Sequence, residues 1–148
     1  EAARYAGLIG VVIILGFQTV SATAMFIFPE LIVRLYTDDL VVGPLAVSLL
    51  LYAAIFQYPD GLQMVAAGAL RGYKDTRMPV LYMVISFWIV GMTLGYYLTF
   101  QREMGPAGMW IGMIAGLTVA SALMLRRFNH TSKKLIRDMA TDPPLRVP

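Results

Sequence analysis

Four runs of this chain contain no Asp, Glu, Lys or Arg: Tyr5–Pro29, Leu40–Pro59, Met78–Gln101 and Met104–Leu125, which are 25, 20, 24 and 22 residues long. A helix rises 1.5 Å per residue, so about 20 apolar residues cross the roughly 30 Å of hydrocarbon in a bilayer. All four runs reach that length. With 58% hydrophobic and 14% charged residues, the chain is far more apolar than a soluble domain of 148 residues. The runs are continuously apolar and do not alternate, which argues against membrane strands, because a barrel needs a closed ring of many short alternating segments. The expected fold class is therefore all-α integral membrane. Its four transmembrane helices cover residues 5–28, 40–70, 78–100 and 105–125, followed by a basic tail over 129–148.

Charge sets the orientation, since loops on the cytoplasmic side collect Lys and Arg. The segment Glu30–Asp39 holds Glu30, Arg34, Asp38 and Asp39 and nets −2, whereas Arg71–Arg77 holds Arg71, Lys74, Asp75 and Arg77 and nets +2. The third loop holds Arg102 and Glu103, and the tail carries Arg126, Arg127, Lys133, Lys134, Arg137 and Arg146 against Asp138 and Asp142. Loops thus alternate outside and inside, with the C-terminus cytoplasmic. The net charge of +3 follows from this asymmetry and is no sign of nucleic-acid binding. There is no cysteine, hence no disulfide and no thiolate metal site. Position 1 is Glu1 and the first apolar run is too long for a signal peptide, so the chain is expected to start inside a larger polypeptide.

Small residues recur where helices would meet in lipid: Gly7, Gly10, Gly16, Ser21, Ala22 and Ala24 in the first span, Gly91 and Gly95 in the third, and Gly108, Gly112 and Gly116 in the fourth. Pro29 ends the first span, and Glu30–Thr37 reads as a short interfacial connector. The second apolar stretch runs from Leu40 through Asp60 to Leu70, 31 residues or about 46 Å of helix, longer than a bilayer is thick. Pro59 and Gly61 weaken its hydrogen-bond ladder beside the acid. Gly72 is the expected C-cap, Asp75 and Thr76 are expected N-caps, and Pro79 suits a first turn. Trp110, Tyr96 and Tyr97 suit an outer aromatic belt, and the tail allows a short amphipathic helix before an irregular Asp142–Pro148. His130, the single histidine, has no metal-ligand spacing around it.

Asp60 is the one carboxylate inside these spans. Placing it in hydrocarbon costs about 2.5–3.5 kcal/mol even on lenient insertion scales, so an acid there is read first as a functional group facing a cavity. At helical spacing, Phe56, Gln57, Asp60, Gln63 and Met64 share a stripe. Two amides flanking a carboxylate suit a hard cation or a transferable proton, so Asp60 is the candidate coupling residue and, if sodium drives the process, the candidate metal ligand. Phe56, Gln57, Gln63 and Met64 are its candidate supporting or cavity residues. The plain alternative is a buried Asp satisfied by helices outside this chain. No Ser-His-Asp set, phosphate loop, acid pair or zinc motif is present, so neither an enzyme nor a bound cofactor is expected beyond Na+ or H+ as coupling ion.

The run from Phe56 to Arg77, FQYPDGLQMVAAGALRGYKDTR, resembles the tenth helix and following loop of NorM-type transporters in the multidrug and toxic compound extrusion (MATE) family, and Met104–Gly112 resembles the start of that family's last helix. The likeness extends over essentially the whole chain. It implies a twelve-helix antiporter of two lobes, of which this C-terminal fragment supplies the last four helices, in the bacterial inner membrane. It also implies Na+- or H+-coupled export of organic cations and drugs, with Asp60 at the position of the family's coupling aspartate. Some relatives carry a tyrosine where this chain has Phe56, whose ring offers no oxygen to a cation. The family's additional acid on an earlier helix has no counterpart here. Two other classes remain open: a flippase for lipid-linked substrates, which would carry more cationic groups along its cavity, and a structural membrane subunit that does not transport.

Overall fold

In the computed structural model, residues 2–39 and 41–141 are described, and among them the chain is helical without strands. Helix α1 spans Ala2–Ile27, the one-and-a-half-turn α2 Pro29–Arg34, and α3 Val42–Gly72. A fourth helix, α4, spans Arg77–Gln101, and α5 spans Pro106–Thr141. Four of these helices, α1, α3, α4 and α5, are long and apolar enough to cross a membrane.

Helix α3 stands in the middle, with α1 on one flank and α5 on the other, and α4 packs on α5. Two ring pairs fix α3 parallel to α5: Phe56 meets Trp110 edge-on at 5.6 Å, and Tyr73 meets Phe128 at 5.9 Å. These contacts lie about 26 Å apart along the two axes. Toward the basic end of the stretch that these contacts bound, Ala66, Leu70, Met124 and Phe128 form the buried core, ringed by Tyr73, Tyr82 and Leu125. Helix α1 joins there because Gly7 leaves room for the Phe128 ring: a Cβ on Gly7 would lie 2.7 Å from it. The opposite face of α1 is bare, with Val12, Phe17 and Val20 at least 70% exposed. Such a face suits lipid or further helices, and in water it would aggregate.

The glycines of the third and fourth spans meet as their spacing suggests. A Cβ on Gly112 would fall 2.5 Å from the Gly95 Cα, one on Gly116 3.1 Å from the Gly91 Cα, and one on Gly108 2.6 Å from the Thr99 amide nitrogen. Gly16, by contrast, faces open space. Helix α4 is also not α-helical throughout: Ser86–Met92 and Tyr97–Gln101 are π turns, a widening that side-chain periodicity does not encode.

Several local features differ from expectation. The last helix does not stop near residue 125 but continues through the basic segment to Thr141, since Arg126–Arg137 contains no Gly or Pro to break it. The second helix begins at Val42, with Leu40 outside the described residues, as is Asp142–Pro148. Gly72 is not the residue that turns α3 off. The left-handed position belongs to Lys74, at φ 61°, and the Lys74 and Asp75 amides close onto the carbonyls of Arg71 and Leu70 at 2.9 and 3.0 Å. Neither Asp75 nor Thr76 caps α4 with its side chain. Asp75 instead accepts a 2.6 Å hydrogen bond from Arg127 Nε, tying the α3–α4 turn to α5. Trp110 packs edge-on against Phe56, and the Tyr97 hydroxyl accepts from Arg102 Nε at 3.2 Å.

Candidate functional site

Asp60 is the nineteenth residue of α3, about 18 Å of helix from the Gly72 end and well inside the span. Helix α3 buries Pro59, Ala66 and Leu70 on one face and Ala54 and Gly61 on another. Gly61 and Val65 look toward α1, where they meet Gln18 and Gly10. Ala66 and Leu70 look toward Met124 and Phe128 of α5. At 100° per residue, Asp60 falls between these faces on the side that neither flank covers, next to Met64, which is 64% exposed. Asp60 is half-buried, and among the described residues it has no ion-pair partner. No group of three His, Cys, Asp or Glu able to hold a metal forms among them either.

The expected stripe does not act as one cluster. Phe56 turns to Trp110 of α5. The Gln57 amide folds back to donate to the Ala54 carbonyl at 3.1 Å, so one of its two N–H groups is spent on its own helix. Gln63 is buried with Oε1 unpartnered, and Met64 stands on the open side. A one-dimensional spacing cannot resolve this, because a stripe about 100° wide straddles the boundary between the packed and the open face.

The residue that the spacing argument does not find is Gln18. It is 6% exposed, and its Nε2 donates to the Gln57 carbonyl across the α1–α3 contact. One residue on, the Tyr58 hydroxyl donates to Thr19 Oγ1 at 3.4 Å, a second polar tie in the same layer. The signal was available: Gln18 is the one amide in the charge-free run Tyr5–Pro29. Ser86, 1% exposed with an unpartnered hydroxyl, is a second buried polar group, on α4.

At the acidic end, Glu30, Val33, Arg34, Thr37, Asp38, Asp39 and the start of α3 line a concave region of about 610 Å³. Its geometry is that of a surface vestibule, and Asp39 within it is committed to the start of α3: its Oδ1 accepts from the Val41 and Val42 amides at 2.7 and 3.1 Å. Those backbone hydrogen bonds hold the Asp39 carboxyl below the usual carboxylate range.

A sequence model of the MatE family matches residues 1–97. The chain is 51% identical over 135 residues to the probable multidrug resistance protein NorM of Xanthomonas axonopodis pv. citri, a match covering 91% of this chain and 30% of that protein. It is 39% identical over 139 residues to the multidrug resistance protein PmpM of Pseudomonas aeruginosa, covering 91% and 29%. It is 40% identical over 138 residues to the multidrug resistance protein MdtK of Photorhabdus laumondii, covering 90% and 30%. The chain thus spans about 30% of the length of the curated relatives it matches.

Proposed function

The chain belongs to the MatE family, and from that premise we propose that it is one part of a multidrug exporter in which Asp60 couples cation movement to drug efflux. The exporter works in the bacterial inner membrane, with the basic end of the bundle in the cytoplasm, and carries organic cations outward against Na+ or H+ moving in. The observation that supports this most is the place of Asp60: deep in an apolar span, half-buried, and on the face of α3 that α1 and α5 leave open. An acid kept there at a cost of several kcal/mol has no ion-pair partner among the described residues, whereas a coupling ion needs a carboxylate it can reach.

The coupling logic is a difference in affinity. A cation or proton on Asp60 removes a buried negative charge, and a state that buries the site more deeply gains most from that neutralisation. Pro59 leaves the Ile55 carbonyl without its helical donor, so α3 yields more readily there than elsewhere. Ion binding then biases the bend of α3 and, through it, access to a drug cavity completed by the rest of the transporter.

The test is efflux of a fluorescent organic cation from membrane vesicles carrying the full-length protein, under separate sodium and proton gradients. Asp60→Asn should abolish gradient-driven efflux at normal expression, and the gradient that drives the wild type names the ion. Efflux by Asp60→Asn equal to the wild type would assign Asp60 to packing and sink the proposal.

A further inference from the structure

We propose that Gln18 of α1 is a positioning residue for Asp60, and that position 61 is glycine because the Gln18 side chain occupies the space a Cβ there would need. The inference rests on the reading of Asp60 as the coupling carboxylate. Within the apolar α1, Gln18 is buried, and an amide side chain stays buried in lipid only where it finds a partner. Its partner is the Gln57 carbonyl of α3, two residues before Pro59 and three before Asp60. A Cβ on Gly61 would lie 1.8 Å from Gln18 Nε2, 2.6 Å from Cδ and 2.8 Å from Oε1, so the amide rests directly on the Gly61 backbone. Asp60 is therefore bracketed. Before it, Pro59 removes one rung of the helix's own ladder; after it, Gly61 lowers the backbone's resistance to rotation; and Gln18 is the lateral tie that fixes the segment in between.

The tie hangs on Nε2 alone, because Gln18 Oε1 has no hydrogen-bond partner among the described residues. Losing one such bond between buried groups shifts an equilibrium by about tenfold. If the tie sets where the Asp60 carboxylate points, its removal weakens ion capture while leaving the carboxylate in place. Coupling then persists but needs more ion, which distinguishes loss of positioning from loss of the coupling group.

The experiment uses the full-length transporter in vesicles and measures drug efflux against Na+ concentration, or against pH where protons drive it. Gln18→Leu, which keeps the volume and removes the donor, should raise the half-saturating Na+ concentration about tenfold, or shift the pH midpoint by about one unit, with the maximal rate still reached at saturating ion. Gly61→Ala should shift the ion dependence in the same direction by displacing Gln18. Introduced into Gln18→Ala, where the space is vacant, Gly61→Ala should add less than about threefold, the non-additivity of groups in contact. An unchanged ion dependence in Gln18→Leu, alongside loss of efflux in Asp60→Asn, overturns the positioning role and leaves the coupling role standing. Full efflux by Asp60→Asn overturns both. Should Gln18→Leu fail to reach the membrane, the Ala pair decides: an equal Gly61→Ala effect with and without Gln18 removes the steric assignment.

Discussion

Gly112 of α5 lies so close to Gly95 of α4 that a Cβ on Gly112 would stand 2.5 Å from the Gly95 Cα and 2.6 Å from the Gly91 carbonyl oxygen. Lipid tails offer no hydrophobic drive for helices to associate, so this backbone approach supplies van der Waals contact that bulkier residues would prevent. Gly112→Ala must push the helices apart. It should cost about 1–3 kcal/mol, the usual penalty of overpacking, read as earlier thermal unfolding of the detergent-solubilised full-length protein. Gly16→Ala, with nothing within 4 Å of the added methyl group, should change stability by less than about 0.5 kcal/mol. Equal losses in both would show that the α4–α5 contact is not the cause.

Arg127 and Asp75 bridge α5 to the α3–α4 turn at 2.6 Å, with the two side chains 38% and 16% exposed. More than a third of the arginine meets solvent, so screening holds the pair to about 1 kcal/mol or less. A double-mutant cycle of Asp75→Asn and Arg127→Gln should give a coupling energy of about 0.5–1 kcal/mol that shrinks as salt rises from about 0.05 to 0.5 M. Coupling indifferent to salt would contradict a charge-charge origin.

Lys74 holds the left-handed position that ends α3, at φ 61°. A residue with a Cβ pays about 1 kcal/mol there that glycine does not. Lys74→Gly should therefore raise the unfolding temperature, while Gly72→Ala, a substitution inside the last helical turn with open space around it, should not lower it. The opposite pattern would return the capping role to Gly72.

Asp39 opens α3 by accepting the Val41 and Val42 amides, and those bonds depress its pKa. A depressed carboxylate contributes stability that is complete above the ordinary value of about 3.9 and disappears as pH falls through the lower folded value. Hydrogen-exchange protection of the Val41 and Val42 amides should thus hold from neutral pH down to about 4 and fall below it. Asp39→Asn, which keeps an acceptor oxygen, should show protection without that acid step, and Asp39→Ala should lose protection at every pH.

The fold class, the four spans and the anomaly of Asp60 were legible from the sequence because each depends on a local property: the length of a charge-free run, or a lone carboxylate within an apolar span. The glycine pairs of α4 and α5 were legible for a related reason, since small residues four apart must face the same way on a helix. What the sequence could not specify was which faces become partners. Whether Phe56 turns to Trp110 or to Asp60, whether the Gln57 amide serves its own helix, and whether Asp75 caps α4 or pairs with Arg127 are choices among competing contacts of similar energy. Gln18 and Gly61, 43 positions apart, become one feature only when α1 and α3 pack. Sequence alone thus determined where the chain must sit, because bilayer thickness and the cost of charge act on each segment separately. Tertiary structure decided what surrounds Asp60, because a hydrogen bond or a steric clash exists only after two helices have been brought together.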